Sequence, residues 1–394
     1  MENLLPSKRK FFNKLWLAPL GAGVAIGLFC AFLSALGNPV NMQLCVACFL
    51  RDTAGALGLH SNPAVMFIRP EIIGIVLGAC ILSLVLKEHT ARGGSSPFIR
   101  FILGVTVMVG AMIFLGCPTR MILRIAGGDL NALIALPGFV LGVATGVFFL
   151  SKGFTLNRNH PQRKLEGFAF PFVNLILLVL LFISIFIPSL LAFSTVGVGS
   201  VHAPIWASLI AGLIVGAIGF KTRLCFISGI RDAILFKQFH GLIAFGALLV
   251  TVLISNLIMP NLSFGGGFSL SMADQPVAHT NVIWNILGLF LVGFASCLLG
   301  GCPFRQLVMA GSGNTDSAFA VLGLLAGGAL VHNFSIASSP AGVTTNGKIA
   351  FAVCLVIVLI IAITNTKSLK RTFTNIFSRN KKIGDDTKTT KEVA

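Results

Sequence analysis

Four cysteines in this sequence sit in two recurring patterns whose residue types could do chemistry. Leu44-Cys45 is followed by Arg51-Asp52, and Leu224-Cys225 by Arg231-Asp232 at the same spacing. Gly116-Cys117-Pro118-x-Arg120 has a counterpart in Gly301-Cys302-Pro303-x-Arg305. A thiol is a weak hydrogen-bond donor and a polarizable neighbour for a soft sulfur or selenium atom; a guanidinium suits an oxyanion. Proline directly after the cysteine marks a helix start, where its missing N–H costs nothing. Cys117 and Cys302 are therefore expected at helix N-termini, where free N–H groups and the helix dipole favour an anion. Gly127-Gly128 and Gly311-Ser312-Gly313 supply the stops. A neutral thiol can also hold an anion without trapping it, as conduction requires.

Plainer readings apply to the other reactive side chains. Cys30, Cys80, Cys297 and Cys354 fall in the middle of apolar runs and read as packing. Cys45-x-x-Cys48 is a redox pair, a metal half-site or neither. Ser228 stands in the place of Cys48 in the second pattern, so the repeat does not demand two thiols. A zinc site needs further ligands, and the sequence has no H-x-x-x-H or second C-x-x-C, so no metal or cofactor is expected. His332 reads as packing or a helix-end contact. Asp52 and Asp232 directly follow arginines, and adjacent residues on a helix do not face each other. They are expected either to neutralise other arginines or to carry coupling protons. Arg124 has Met309 in its corresponding place.

The elements that position these residues follow from composition. Of 394 residues, 55% are hydrophobic and 10% are charged, against about 25% charged in an ordinary globular chain. With 43 glycines and a mean hydropathy of +0.92, the chain does not fit a soluble enzyme, a nucleic-acid binder or a disordered protein. Ten runs could span a bilayer: 15–36, 71–87, 98–116, 131–151, 171–193, 204–220, 241–259, 282–300, 317–333 and 348–366. The first is too long for a signal-peptide core and lacks a small-x-small cleavage site, so it reads as a retained span. The net charge of +17 reports topology rather than a polyanionic partner. With the N-terminus in the cytoplasm, 24 of the 29 lysines and arginines fall on the cytoplasmic side, and the C-terminus returns there.

The two cysteine patterns are 72 residues apart in the first half and 77 in the second, so the chain reads as a duplication. Five spans per half is an odd number, so the halves enter the membrane in opposite directions, a signature of transporters and channels. The expected fold is an all-α integral membrane protein of about ten transmembrane helices in a 5+5 inverted-topology repeat. Its parts are a basic cytoplasmic N-terminus (1–14), a first repeat (15–168), a second repeat (169–366) and a basic cytoplasmic tail (367–394). Segments 38–60, 117–129, 223–237 and 302–314 are too short and polar to span, and read as re-entrant half-helices.

The sequence resembles the YeeE/YedE family of sulfur-compound transporters, and within it the YedE branch linked with selenium metabolism. The resemblance rests on Asn38-Pro39-Val40-Asn41, Leu44-Cys45-Val46-Ala47-Cys48, Arg51-Asp52-Thr53-Ala54-Gly55, Leu115-Gly116-Cys117-Pro118-x-Arg120 and Leu299-Gly300-Gly301-Cys302-Pro303-x-Arg305. It implies a bacterial inner-membrane permease, not an enzyme, in which a small inorganic anion such as thiosulfate or selenite passes cysteines at a constriction. Carried over by motif, that role falls on Cys117 and Cys302, with Cys45 or Cys225 as further steps. Cys48, Arg51, Arg120, Arg231 and Arg305 complete the candidate permeation set, with Asp52 and Asp232 as coupling or structural charges. No Walker motif is present, so transport is expected to be passive, ion-coupled or powered by a partner. Two other readings stand beside it: a membrane thiol–disulfide oxidoreductase using Cys45 and Cys48, and a subunit docking a cytosolic selenium- or sulfur-handling protein through its basic tail.

Overall fold

The computed structural model describes the backbone of residues 8–258 and 267–367, and side chains from Trp16 onward. The basic side chains of the N-terminal segment, the tail beyond Lys367, and Gly265-Gly266 lie outside the described residues.

Every expected span forms a helix, because each is a long apolar run; Pro19, Pro137 and Pro171 are each accommodated inside one of them. In chain order the long helices are α1 (Lys8–Ala35), α3 (Pro70–Val85), α4 (Pro97–Phe114), α6 (Leu130–Ser151) and α7 (Lys164–Phe186). Then come α8 (Ile205–Thr222), α10 (His240–Ile258), α11 (Val282–Leu299), α13 (Thr315–Asn333) and α14 (Thr345–Thr364). Among the described residues, nine helical stretches are long and apolar enough to cross a membrane. The 16-residue α3 is apolar but spans only about 24 Å. The largest displacement from expectation is α7. It starts at Lys164 rather than at 171, carries Pro171 inside, and ends at Phe186 ahead of Pro188. An amphiphilic first turn containing Glu166 continues this helix beyond the apolar run, and proline stops it early. The only regular strand pairing among the described residues joins Arg92-Gly93 to His160-Pro161.

Helix pairing carries the duplication into three dimensions. Helix α1 packs on α10, and α3 on α8; α4 packs on α13, and α6 on α11; α4 and α11 meet each other. Equating α1, α3, α4 and α6 with α8, α10, α11 and α13 turns each pairing into the other. A two-fold axis between two copies of one unit produces this exchange. Five long helices, α1 to α7, precede α8, so equivalent helices run in opposite directions.

Glycines set how closely these pairs approach. Gly138 and Gly142 on α6 leave no room for a Cβ against the carbonyls of Ile286 and Phe290, and Gly323 on α13 leaves none against that of Phe101. Gly138 and Gly323 are 185 positions apart, as are Phe101 and Ile286. On the other pair, Gly212 and Gly216 approach the carbonyls of Glu71 and Ile75, while Gly23 and Gly27 approach those of Ala244 and Leu248. In lipid there is little hydrophobic drive between helices, so this close contact holds the bundle together.

Replacing Gly142 by Val should lower the thermal unfolding midpoint of the purified protein, by an overpacking cost of about 1–3 kcal/mol. Gly21→Ala, where nothing lies within 4 Å, should leave it unchanged or raise it.

Candidate functional site

Each motif cysteine caps the N-terminus of a short helix. Cys45 precedes α2 (Val46–Ala56), Cys117 precedes α5 (Pro118–Ala126), Cys225 precedes α9 (Phe226–Phe236) and Cys302 precedes α12 (Pro303–Gly311). At 9 or 11 residues these helices are about 14–17 Å long, half a hydrocarbon slab. All four cysteines have extended backbone, as an N-cap requires, and Pro118 and Pro303 occupy the first helical turn. The half-helices end at Gly127 and Ser312, each followed by a glycine with positive φ, Gly128 (+92°) and Gly313 (+99°). Sequence reasoning placed Cys117 and Cys302 at such termini. Cys45 and Cys225 lack a following proline and were legible only as repeated positions.

Within each repeat the two capping thiols meet. Cys45 Sγ lies 3.7 Å from Cys117 Sγ and 2.9 Å from Cys48 Sγ, and it accepts a hydrogen bond from the Cys48 amide at 3.4 Å. In the second repeat the Cys302 amide donates to Cys225 Sγ at 3.5 Å. All nine cysteines are free and buried. Among the described residues, no contact at hydrogen-bond distance joins the two thiol clusters.

Arg120 is fully buried beside the first cluster and is tied on three sides. Its Nη1 donates to Cys48 Sγ at 3.4 Å, its Nε to the Asn41 carbonyl at 3.0 Å, and its Nη2 to the Val277 carbonyl at 3.1 Å. Val277 belongs to the segment before α11 and holds a β-branched side chain at φ +52°, a conformation such residues rarely adopt. Arg305, the counterpart of Arg120, is half-buried and makes no side-chain hydrogen bond or ion pair among the described residues.

Two equivalent loops explain this difference. Ser269 and Ser271 donate to the carbonyls of Gly127 and Gly128 at the end of α5; Thr90 and Arg92 donate to those of Ser312 and Gly313 at the end of α12. The bridges Asp129–Ser271 and Arg92–Asn314 match in the same way. From Ser271 the chain runs on to Asn281 before α11 begins, covering Arg120 with Val277 and bonding His279 Nε2 to the Ile113 carbonyl at 2.8 Å. From Arg92 it reaches α4 at Pro97, too soon to cover Arg305.

The expectation that Asp52 and Asp232 do not pair with their preceding arginines is overturned. Arg51 Nη2 reaches Asp52 Oδ1 at 2.6 Å, and Arg231 Nε reaches Asp232 Oδ1 at 2.8 Å. The helix backbone points adjacent residues apart, but an arginine stem is long enough to curl back, and around the buried Arg51–Asp52 pair no water competes for the charge. Asp52 also takes Arg69 Nε and Nη2, each at 2.9 Å, so one fully buried carboxylate serves two arginines. Arg69 is a site residue that sequence reasoning did not single out. The available signal was its position directly before Pro70, at the mouth of an apolar helix. Arg124 pairs with Asp129 at 2.6 Å, and both counterparts are neutral, Met309 and Asn314. The second repeat thus lacks both members of the charge pair. His332 Nδ1 lies 3.1 Å from Asn62 Nδ2 near the end of α13, a helix-end contact.

Residues 221–390, which include Cys225, Arg231, Cys302 and Arg305, match a family profile described as sulphur transport. The thiosulfate transporter TsuA of Spirochaeta thermophila is 31% identical over 118 residues, or 30% of this chain and 33% of that protein. The matched stretch thus spans about a third of that relative's length.

Removing the Asp52 carboxylate leaves two buried guanidinium groups unneutralised. Asp52→Asn should therefore destabilise the purified protein by about 3–5 kcal/mol in thermal or denaturant unfolding. Asp232→Asn should cost far less, because that pair is about one-third exposed (31% and 32%).

Proposed function

We propose that the protein is a permease for a small sulfur- or selenium-containing oxyanion, thiosulfate or selenite, which passes a constriction lined by thiols. The observation that carries this reading is that all four motif cysteines cap half-helices and meet in pairs, one pair per repeat. Each pair joins two helix N-termini, so positive dipole ends and thiol donors converge on one place. The S–H groups offer weak bonds to a soft terminal sulfur or selenium. Arg120 and Arg305 set the sign of the charge that is admitted, while neutral thiols keep each hold shallow enough for release. The similarity to the thiosulfate transporter TsuA favours thiosulfate, and the YedE resemblance favours a selenium species.

Arg51 and Arg231 lie on the half-helices but are held by Asp52 and Asp232. That pairing supports a structural role for the two carboxylates rather than proton coupling. The distribution of lysine and arginine supports a bacterial inner-membrane location with both termini cytoplasmic. The first thiol cluster then faces the outside and the second faces the cytoplasm, with the repeats meeting near the midplane.

A second reading has one observation in its favour, the 2.9 Å approach of the Cys45 and Cys48 sulfurs. As a thiol–disulfide oxidoreductase the protein would need Cys48 and would pass through a trappable mixed disulfide.

Uptake of labelled thiosulfate and labelled selenite, in cells lacking their own importers and at matched membrane levels, separates the two. Cys117→Ser and Cys302→Ser should each reduce uptake by about tenfold or more, the scale of losing a bond to a charged ligand. Cys48→Ser should be tolerated, since a hydroxyl still accepts from Arg120 and Ser228 already occupies the equivalent place. Entry of neither label above background in wild-type cells would sink the permease reading.

A further inference from the structure

The α12 side of the molecule holds a cavity of about 470 Å³ beneath the short loop that leaves Arg305 uncovered. Arg305 lines it from α12, Arg223 from the end of α8, and Arg92 from the loop, with Glu88, Thr90 and Asn314 on its walls. Three arginines against one glutamate give the lining a net charge of +2. Arg92 Nε is held by Thr90 Oγ1 at 2.7 Å. Neither Arg223, Arg305 nor Glu88 makes a side-chain ion pair among the described residues. The contrast with the first repeat is direct: there the equivalent guanidinium is saturated by a thiol and two carbonyls. Like charges turned toward one space repel, and an anion between them reverses the sign of that interaction.

We propose that this cavity is a second anion site, beyond the thiol constriction and sharing Arg305 with it, in which Arg92, Arg223 and Arg305 hold a doubly charged oxyanion. Recognition there is by charge and by guanidinium geometry, with no need for a soft atom. The site rests on the permease reading only for its place on the route, as the point where the anion waits after passing Cys302. The volume admits the anion together with water, so release is fast and the site concentrates the anion without trapping it. The same chemistry could be met by a free anion or by a lipid phosphate; the free anion is favoured because the half-buried Arg305 forms part of the lining.

The test uses inorganic sulfate, which carries the charge but lacks the soft sulfur, so its binding does not depend on the thiols. Sulfate is titrated calorimetrically into the full chain in phosphatidylcholine nanodiscs at low ionic strength. Wild type should bind one sulfate, with affinity falling as salt rises. Arg223→Gln and Arg92→Gln should each weaken binding by about tenfold, and Arg223→Lys by less. Both arginines are exposed, so the fold should survive, which an unchanged unfolding midpoint verifies. Cys117→Ser should bind sulfate like wild type. No binding in wild type, unchanged binding in both arginine-to-glutamine variants, or loss of binding in Cys117→Ser would overturn the site. Sulfate binding that vanishes when phosphatidylglycerol is added would assign the cavity to a lipid headgroup and also overturn it. If cells fail to take up thiosulfate or selenite while sulfate still binds as described, only the permease reading falls.

Discussion

Four helix N-termini end inside an apolar interior, and the first turn of each carries N–H groups with no partner in its own helix. In lipid such groups cannot be left to water, so something in the protein must meet them or an anion must. The cysteine caps and the pairing of caps within each repeat are the answer in this chain. The rest of the structure serves that arrangement. Long helices shield the broken segments, glycines let those helices close to backbone contact, and buried ion pairs fix the half-helices in place.

Duplication supplies two copies of the same device, and divergence makes them unequal. The first copy has an additional thiol at Cys48, a buried Arg124–Asp129 pair and a long covering segment, and its arginine is saturated. The second has Ser228, Met309 and Asn314 in those places, a short loop, and an arginine that opens on a polar cavity. Substitutions that remove a buried charge must remove its partner too, because a single survivor is the costly state. Met309 and Asn314 follow that rule together.

The charges buried beside the first cluster are arranged around Asp52 rather than around the thiols. One carboxylate neutralises Arg51 and Arg69, which leaves Arg120 as the guanidinium in direct contact with sulfur. The net positive charge beside the first thiol cluster thus comes from a single residue, held by two carbonyls that carry no formal charge. One unpaired cation, rather than several, is thereby left in a dry interior.

The sequence by itself determined the all-α membrane class, the ten long helices and the four half-helices. Those features depend on local run length, on Pro118 and Pro303, and on glycine stops, all written within a few residues. It also determined the duplication, since recurrence of Cys-Pro-x-Arg needs no coordinates. Only the tertiary structure decided which thiols meet, that Arg51 curls back on Asp52, and that Arg69 joins them from another helix. The cover that Val277 forms over Arg120, and its absence over Arg305, were likewise decided there. The reason is physical. Helix formation is governed by neighbours a few residues apart, whereas these contacts join segments up to 157 residues apart, where side-chain reach and loop length decide.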